Sequence, residues 1–525
     1  MQARMRIARW IGVALTLGAM VSCGGGGGGG GSSEVPQSCS ANNPFRADAT
    51  GPTVTASLTV EKSWVRGYMD ASYLWYREIP NVNAADPLFN VDTSSGFYAS
   101  IDNYFNALLT PNLSTSGLKP KDEFSFTYPT RLWDQLINSG STAGWGIEWH
   151  YDTRDATVGT INGIRVAFVH PGSPAFDVGL QRGDLLVTIG GVTASATNNP
   201  NAYNAIISQL FPAAGQRMDF VVNRNGTTIT VSPTSSGNLT LTPVGQPSVI
   251  TTSNGKKVGY LLFNDHLLTA EQGLIGAFSA FTNPPIDELV LDLRYNGGGY
   301  LYIASQVAYM IASHQINSPT VGRVFERTVF NDKRGAENSD TFFFDTSCFP
   351  DPRSFNCTNV QPLPQLGLSR VYVLTSGDTC SASEAIFNGL RGVGIDVIQI
   401  GTTTCGKPYG FFGQSNCGIT YFPIEFQGVN AAGFGDYADG FQPDPVGSTT
   451  SNRIKGCTSS DDLGDPLGSP NEAQLATALY HVTNGACPPA PLAREAPLSA
   501  SAGRTVGGLL KAPARSNGYG QMPRR

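Results

Sequence analysis

Two short segments of the chain hold the residue types that nucleophilic catalysis requires. One reads T-C-S-A-S-E over residues 379–384, and the other reads T-C-G-K-P-Y-G over residues 404–410. A serine hydroxyl becomes a nucleophile when a nearby base removes its proton, and an uncharged lysine amine can be that base. Lys407 follows Ser381 by 26 residues, so a downstream strand could return it to the serine. The pair predicts a hydrolase that needs no histidine.

Lys407 can accept a proton only if its pKa falls from about 10.4 towards neutrality, a change worth about 4 kcal/mol. Three aromatic residues follow it closely, namely Tyr409, Phe411 and Phe412. Burial beside them would disfavour the ammonium form and so lower the pKa. The oxyanion formed by hydroxyl attack also needs hydrogen-bond donors, and the backbone N–H of Ala382 lies beside the nucleophile by geometry.

Other residues offer alternative chemistry. Cys380 adjoins Ser381 and could itself be the nucleophile. His266 follows a predicted strand end and is the histidine expected to come closest to the site. All five histidines are nevertheless expected to be structural or to lie at the surface, and they are His150, His170, His266, His314 and His481.

The first 23 residues have the pattern of an export signal. Basic residues precede an apolar stretch at 10–21, which is too short to span a bilayer and ends near Cys23. The cysteine at the cleavage site resembles the lipobox of bacterial lipoproteins, although Met20 stands where leucine is usual. Lipidation of Cys23 is therefore expected, and a plain secretory signal cut nearby is the alternative.

A glycine-rich segment follows the signal. Eight consecutive glycines, 24–31, have no side chains with which to build a core, so residues 24–57 are predicted to be a flexible tether. Gly24 after the cysteine resembles the sorting rule for outer-membrane lipoproteins of Gram-negative bacteria. These features place the folded part in the cell envelope, in the periplasm, held to the outer membrane by a lipid anchor.

Cysteine usage agrees with an exported protein. Eight cysteines remain beyond Cys23, and an even number favours disulfides in an oxidising compartment. No paired C-x-x-C motif indicates zinc, so no metal site is expected. The close spacings make three pairs the first expectation, although the connectivity stays open. These pairs are Cys348 with Cys357, Cys405 with Cys417, and Cys457 with Cys487.

Length and charge bound the remaining possibilities. The chain of 525 residues is long enough for two to four domains, and its net charge of −6 argues against nucleic acid as a partner. The last segment, 485–525, is rich in Pro, Ala, Gly and Arg and shows no apolar periodicity. It is predicted to be a disordered basic tail, solvated rather than bound to a membrane surface.

Three regions lie between the tether and the tail. Residues 58–142 are predicted to be a helical N-terminal unit, because Trp64, Tyr68, Ala71, Trp75 and Ile79 recur at spacings of three or four. Residues 143–247 are rich in short strands. Residues 248–484 alternate strand and helix patterns and predict an α/β domain. Its strands are expected at 258–263, 288–293, 371–375 and 397–401, and its helices at 270–281, 301–313, 383–390 and 473–482.

The middle region resembles a PDZ domain. Its run of residues 171–191, P-G-S-P-A-F-D-V-G-L-Q-R-G-D-L-L-V-T-I-G-G, reads as a short helix and a Gly-Asp turn before a strand. Gly144, Trp145, Gly146 and Ile147 stand where that family places its carboxylate-binding loop. The resemblance implies that peptide C-termini add as a strand beside this loop. A β-rich spacer with a blocked groove is the alternative.

Three motifs in order resemble the carboxy-terminal processing, or tail-specific, serine proteases. They are D-L-R-Y-N-G-G-G at 292–299 and the two segments around Ser381 and Lys407. The resemblance implies a PDZ domain between a helical N-terminal unit and a catalytic domain related to the Clp/crotonase fold. It also implies that Gly298 is the second oxyanion donor and that Glu384 orders the dyad, although Glu384 and Ser383 could simply open a helix.

One position departs from that family. Several of its members carry glutamine four residues after the lysine, and here that residue is Phe411. Gln414 lies nearby, and the third catalytic partner stays open. Asp292 and Arg294 flank the exit of a predicted strand and are expected to form an ion pair that shapes the glycine loop.

The sequence therefore predicts a multidomain α+β serine endopeptidase without a cofactor, which recruits protein substrates by their C-terminal tails. Two other classes remain open. One is a catalytically silent PDZ adaptor that keeps the hydrolase fold as scaffold, and the other is a Ser/Lys esterase or amidase for small substrates.

Overall fold

The computed structural model describes residues 35–117, 119–139, 141–314, 317–349, 357–447, 451–489 and 505–510. The predicted signal peptide, Cys23 and the glycine run 24–31 lie outside these residues. Within the described ranges, no helix combines the length and apolarity needed to cross a bilayer.

The N-terminal unit combines helices with short strands. Its elements are β1 (Gln37–Ser40), β2 (Thr53–Ala56), α1 (Leu58–Ser72), α2 (Phe97–Ala107), β3 (Phe126–Pro129) and α3 (Thr130–Ser139). Helix α1 ends before Trp75 because Tyr73 takes an extended backbone, with φ −62° and ψ 130°. Trp64, Tyr68 and Trp75 still pack together on one core, which they share with Tyr421 of the last region.

Ordered structure begins inside the segment that composition assigned to the tether. Strand β1 pairs in parallel with β2, and Cys39 forms a disulfide with Cys417 across 378 residues of sequence. The tether prediction rested on the glycines at 24–31, and nothing local reveals a bond of such long range. The predicted boundary at residue 57 is therefore too late for the described residues.

The second unit is rich in strands, as the alternating runs predict. It contains β4 (Ser141–Gly144), β5 (Ile147–Asp155), β6 (Thr160–Asn162), β7 (Arg165–Val169), α4 (Pro174–Asp177), β8 (Leu185–Ile189), β9 (Val192–Thr193), α5 (Pro200–Leu210), β10 (Phe220–Arg224), β11 (Thr227–Val231) and β12 (Ser236–Thr240). Its own core includes Trp145, Trp149 and Phe220, and α5 contributes Tyr203 and Ile206.

The third unit is an α/β domain. It contains β13 (Ser248–Thr251), β14 (Lys257–Leu262), α6 (Ala270–Ala280), β15 (Glu288–Asp292), α7 (Leu301–Ala312), β16 (Val324–Phe330), β17 (Ser339–Phe342), β18 (Arg370–Thr375), α8 (Ala382–Gly392), β19 (Asp396–Gly401), β20 (Tyr409–Gly410), β21 (Gln414–Asn416), β22 (Ile419–Phe422), β23 (Phe426–Val429), β24 (Gln442–Asp444), β25 (Arg453–Thr458) and α9 (Ala473–Asn484). The predicted strands and helices of this region are present, with ends displaced by at most two residues.

The main sheet of this unit has the order β13-β14-β15-β18-β19-β25-β24. Neighbouring strands run parallel, except that β13 is antiparallel to β14. Helices α6, α7 and α8 pack on one face and α9 on the other. The loops that follow β14, β15, β18 and β19 all leave the sheet at the carboxyl ends of its parallel strands, so their side chains can meet there.

Two further contacts join the units. Strand β3 of the first unit pairs with β22 of the third. Arg294 is fully buried and donates to Asp292, Glu472 and Asp461, so the expected ion pair with Asp292 is part of a larger network. Arg182 of the second unit also donates to Asp461. A shared carboxylate thus fastens the second unit to the third.

The C-terminal tail contributes a strand, contrary to the prediction of disorder for that part. Strand β26 (Thr505–Leu510) pairs antiparallel with β5, and Leu509 and Leu510 are buried. The segment was assigned to a disordered tail because it has no neighbouring apolar pattern, yet the edge of an existing sheet supplies its hydrogen bonds. The rest of residues 490–525 lies outside the described chain.

All eight cysteines of the described residues are paired. Two of the expected pairs, Cys348 with Cys357 and Cys457 with Cys487, are present. The expected pair of Cys405 with Cys417 is wrong, because Cys417 bonds to Cys39 and Cys405 bonds to Cys380. Short spacing finds disulfides within one loop, but these two bonds join segments that only the tertiary fold brings together.

Candidate active site

Ser381 lies on a strained turn between β18 and α8. Its φ of 58° and ψ of −118° are uncommon for a residue with a side chain. The N–H of Cys380 and the hydroxyl of Ser383 both donate to the carbonyl oxygen of Asn296, at 3.0 Å each. These bonds hold the serine turn against the glycine loop that follows β15.

Glu384 joins the turn of Ser381 to the loop of Lys407. Its carboxylate accepts hydrogen bonds from the backbone N–H groups of Ser381, Gly406 and Lys407, at 2.9, 2.9 and 2.8 Å. The hydroxyl of Thr404 donates to it as well. Burial raises the pKa of this carboxyl, while these donors act in the opposite direction. Glu384 thus caps helix α8, and the same side chain joins the turn of Ser381 to the loop of Lys407.

A disulfide makes the same connection covalently. Cys380 precedes the serine and Cys405 lies two residues before the lysine, and the two are bonded. Cys380 is therefore not available as a nucleophile in this form. The two sulfurs and Glu384 lie within 4.8 Å of one another, a grouping that could hold a metal ion. It does not fit one here, because both sulfurs are used in the disulfide and are not thiolate ligands.

Lys407 is buried in apolar surroundings, with 1% of its surface exposed. Its Nζ lies 4.5 Å from the ring centre of Phe411 and 5.2 Å from that of Phe124. Burial lowers the pKa of Lys407 to about 7, although Asp122 and Glu384 act to raise it. Phe411, at the position where the resemblance implies glutamine, thus forms part of the apolar environment that keeps the amine uncharged near neutral pH.

Ser381 and Lys407 line one cavity. The space inside it, together with the open solvent at its mouth, amounts to about 320 Å³. Ala382, Gly299, Tyr409 and Glu326 also line it, and Ser381 has only 6% of its surface exposed. The predicted nucleophile and base therefore share a space that is largely shielded from water.

The glycine loop packs directly against the nucleophile. Gly298 has a φ of 97°, and a Cβ there would lie 2.8 Å from the Cβ of Ser381, so only glycine fits. Its N–H, however, donates to Oδ1 of Asn296 at 2.9 Å. The resemblance assigned this N–H to the oxyanion, but here it is bonded to Asn296. The next residue, Gly299, is the glycine of this loop that lines the cavity.

His266 supports this loop from behind. Its Nδ1 lies 2.9 Å from Oδ1 of Asn296, and its backbone N–H donates to the carbonyl oxygen of Gly298 at 3.1 Å. Burial lowers the pKa of His266 to about 3, so the ring is neutral. The histidine predicted to come closest to the site reaches it through Asn296.

The structure adds one carboxylate and separates one amide. Asp122 accepts hydrogen bonds from Ser125 and from the hydroxyl of Tyr73, and its charge acts on Lys407. No motif marks Asp122, because it belongs to the N-terminal unit and reaches the site only through tertiary packing. Gln414 lies in β21, its amide donates to the carbonyl of Ser415, and it does not line the cavity.

The residues predicted for peptide binding lie at the start of β5. Gly144 and Gly146 have φ values of 148° and 81°, and Trp145 is buried with its indole N–H donating to the carbonyl of Gln209. Ile147 opens β5. The loop therefore sits at one end of a strand whose second edge carries β26 in this structure.

Two stretches of the sequence match models of peptidase domains. Residues 257–410, which include Ser381 and Lys407, match the sequence model of Peptidase family S41, and residues 61–126 match that of the Peptidase S41 N-terminal domain. The chain therefore contains domains of the S41 peptidases.

Individual proteins and solved structures are also similar to this chain. A carboxyl-terminal-processing protease of Picosynechococcus sp. is 26% identical over 195 residues, which are 37% of this chain and 44% of that protein. The aligned part is thus less than half of the relative's length. The crystal structure of a "Putative S41 protease" from Bacteroides fragilis shares 24% identity with a TM-score of 0.56, covering 80% of this chain and 97% of that one. The photosystem II D1 C-terminal processing protease shows 19% identity, a TM-score of 0.45, and coverage of 74% and 93%. The Bacteroides structure shows that the mixed helix and strand multidomain fold is of the S41 type.

Proposed function

We propose that this chain is a serine endopeptidase of the carboxy-terminal processing type, with Ser381 as nucleophile and Lys407 as base. One observation carries the proposal. Lys407 lines the same cavity as Ser381, and burial lowers its pKa to about 7. A lysine in water would be charged at that pH and could not accept a proton.

The reaction follows from these positions. The neutral amine of Lys407 takes the hydroxyl proton as Ser381 attacks the peptide carbonyl carbon. The N–H of Ala382, in the first turn of α8, stabilises the oxyanion together with the glycine loop. The ammonium of Lys407 then returns the proton to the leaving amine, and water later cleaves the acyl-enzyme by the same route. Glu384 and the disulfide hold both loops in place throughout.

Substrate capture is proposed for the second unit. Its resemblance to PDZ domains and the position of residues 144–147 at the start of β5 support recognition of peptide C-termini by strand addition. Export and lipidation at Cys23 would place the enzyme in the periplasm at the outer membrane. The four disulfides support an oxidising compartment.

Labelling with a fluorophosphonate probe tests the nucleophile. We expect the wild-type chain to be labelled and to cleave casein, and Ser381→Ala to do neither. Ser208→Ala is the matched control, because its exposed hydroxyl bonds only to the carbonyl of Ala205. Absence of labelling in the wild type, with retained binding of peptide tails, would instead support the silent adaptor.

A pair of peptides separates the endopeptidase from a hydrolase of small substrates. The two share one sequence, and one ends in a free carboxylate while the other is amidated. Faster cleavage of the free-carboxylate form is expected if the second unit captures tails. Equal cleavage of both peptides, together with rapid turnover of small esters, would favour the esterase or amidase.

A further inference from the structure

The reaction cavity contains a second acidic residue that the proposed mechanism does not use. Glu326 lies in β16 and lines the cavity together with Ser381, Ala382 and Ala385. Only 6% of its surface is exposed. Its carboxyl lies against Gly428 of β23, where an added Cβ would fall 2.4 Å from the carboxyl carbon. The glycine at 428 therefore leaves room for this carboxyl.

Glu326 has no hydrogen bond or ion pair through its carboxyl within the described part of the chain, and burial alone raises its pKa, to about 8. A buried carboxyl without partners is costly to the fold. Other buried acids here are compensated: Glu384 has four donors, Glu472 binds Arg294, and Glu61 accepts from Ser40 and Asn43.

The surroundings of Glu326 favour a substrate side chain that is long and carries a positive charge at its end. Leu301, Phe426 and Tyr437 line the same cavity and offer apolar surface, and Glu326 is the acid among its lining residues. Lysine and arginine bury their methylene groups against apolar walls and present the charge at the tip. A guanidinium or ammonium is also the partner that an isolated carboxylate lacks.

We propose that Glu326 is the specificity-determining residue of the pocket beside Ser381, and that this pocket accepts a lysine or arginine on the N-terminal side of the cleaved bond. The assignment rests on the proposed peptidase function. A side chain next to the attacked carbonyl must enter the space beside the nucleophile, and that space contains Glu326. Acidic pockets of this kind select basic residues by supplying the missing charge.

Fluorogenic peptides that differ only in this residue test the assignment. With Arg, Lys, Ala and Leu in turn, the wild type is expected to prefer the basic pair. Glu326→Gln keeps the shape but cannot ionise beside a bound cation, so kcat/KM for Arg and Lys should fall by about 100-fold. For Ala and Leu it should change by less than about threefold. Glu337→Gln, on the connection between β16 and β17, is the matched control and should leave all four values unchanged.

The outcomes are distinguishable. A wild type that is labelled by the fluorophosphonate but shows no preference for Arg or Lys overturns the pocket assignment and leaves the peptidase standing. Equal losses on all four substrates in Glu326→Gln, with a melting temperature no lower than that of the wild type, would make Glu326 a positioning residue and also overturn it. A wild type that is not labelled contradicts the proposed function itself.

A separate observation concerns the edge of β5. Strand β26 pairs with it in antiparallel register from Thr505 opposite Arg154 to Leu510 opposite Trp149. Strand β7 occupies the other edge. The tail therefore runs towards residues 144–147, which is the direction that an added peptide would take on its way to a carboxylate-binding loop.

The tail also touches the serine loop. The N–H of Leu509 donates to Oδ2 of Asp378 at 2.9 Å, three residues before Ser381. The side chain of Leu509 packs with Ala167 and Tyr295, and Leu510 belongs to the core of the second unit. The segment is thus seated between the strand-rich unit and the catalytic domain.

We infer that residues 505–510 are an internal occupant of the edge of β5 that the proposed function assigns to substrate tails. An occupant in the same chain acts at high effective concentration, so an incoming peptide must displace it. The chain would then bind only weakly those substrates whose C-terminal tails do not displace residues 505–510.

Leu509→Pro in the full chain tests this, because proline lacks the N–H that reaches Asp378 and cannot continue a paired strand. Leu509→Met keeps the N–H and is the control. A labelled peptide copy of residues 505–510 should bind Leu509→Pro at least tenfold more tightly than the wild type or Leu509→Met.

Hydrogen exchange of residues 149–154 accompanies the binding measurement. Faster exchange in Leu509→Pro shows that the tail covers this edge in solution, and equal exchange in all three proteins overturns the inference. Faster exchange without any peptide binding also overturns it and counts against tail capture by the second unit, while leaving Ser381 and Lys407 unaffected.

Discussion

Glu384 at the start of α8 and Glu326 in β16 are both more than nine-tenths buried, and both belong to the surroundings of Ser381. Glu384 accepts three backbone N–H groups and one hydroxyl. Glu326 accepts none among the described residues. The first carboxyl is surrounded by donors from the loops of Ser381 and Lys407, and the second belongs to a residue that lines the cavity.

The difference separates two uses of a buried charge. A carboxylate whose donors come from the chain itself fixes the geometry of those donors, and its removal leaves them unsatisfied. A carboxyl without donors contributes nothing to geometry and destabilises the fold when it ionises. Under the proposed function, Glu384 would position the reacting groups, and Glu326, which lines the cavity, would recognise the substrate.

The largest expected effect is that of Lys407→Met. Without the base, kcat/KM should fall by about 10³-fold or more. The fold should not suffer, because a lysine whose pKa is lowered from 10.5 to about 7 costs stability as the pH falls through that range. The variant should thus be more stable than the wild type at pH 6, and nearly equal to it above pH 10.5. Thermal melting and peptide cleavage together check this, and an unfolded variant would contradict it.

Glu384→Ala should lower both activity and stability. It leaves three buried N–H groups and the hydroxyl of Thr404 without their acceptor, at a cost of about 3 kcal/mol. The two loops that it joins should loosen, with a loss of about 100-fold in kcat/KM. Glu384→Gln keeps part of the acceptor capacity, so its stability and its kcat/KM should lie between those of the wild type and those of Glu384→Ala. Chemical denaturation measures the first effect, and unchanged stability in Glu384→Ala would remove the contrast with Glu326.

Glu326→Gln should change stability in the opposite direction. The raised pKa of this carboxyl, from 4.5 to about 8, means that stability is lost as the pH rises from 4.5 through 8. The variant should therefore nearly equal the wild type at pH 4.5 and exceed it by up to roughly 5 kcal/mol above pH 8. Denaturation at the two pH values, with Glu337→Gln as control, measures the difference. A destabilised variant at pH 9 would show that Glu326 has a partner in the fold.

The sequence predicts those parts of the molecule that depend on local pattern. The strands of the main sheet are buried apolar runs, and the helices between them show clear periodicity, so their order is readable. Ser381, Lys407 and Glu384 lie within two short motifs and come together at one edge of the sheet because β18 and β19 are neighbours.

The rest depends on contacts between distant segments. Asp122 reaches Lys407 from the N-terminal unit, and Cys39 bonds to Cys417, and neither has a local signature. Glu326 lies in β16, where no motif marks it. That its carboxyl lacks a hydrogen-bond partner among the described residues can be seen only in the three-dimensional structure. Strand β26 was missed because its partner, β5, lies some 350 residues earlier in the chain.

The smallest expected effect concerns the pH dependence of cleavage. Lys407 must be uncharged to act, so kcat/KM for a substrate with alanine beside the cleaved bond should fall tenfold for each pH unit below about 7 and level off above it. The groups that act on this amine are Asp122 and Glu384, and both raise its pKa. Asp122→Asn should therefore move the midpoint to lower pH. Glu326→Gln should leave it in place, because Glu326 is not among the groups that shift Lys407. If the midpoint moves in Glu326→Gln instead, Glu326 also takes part in the proton transfer. The proposed difference in role between Glu326 and Glu384 would then be wrong.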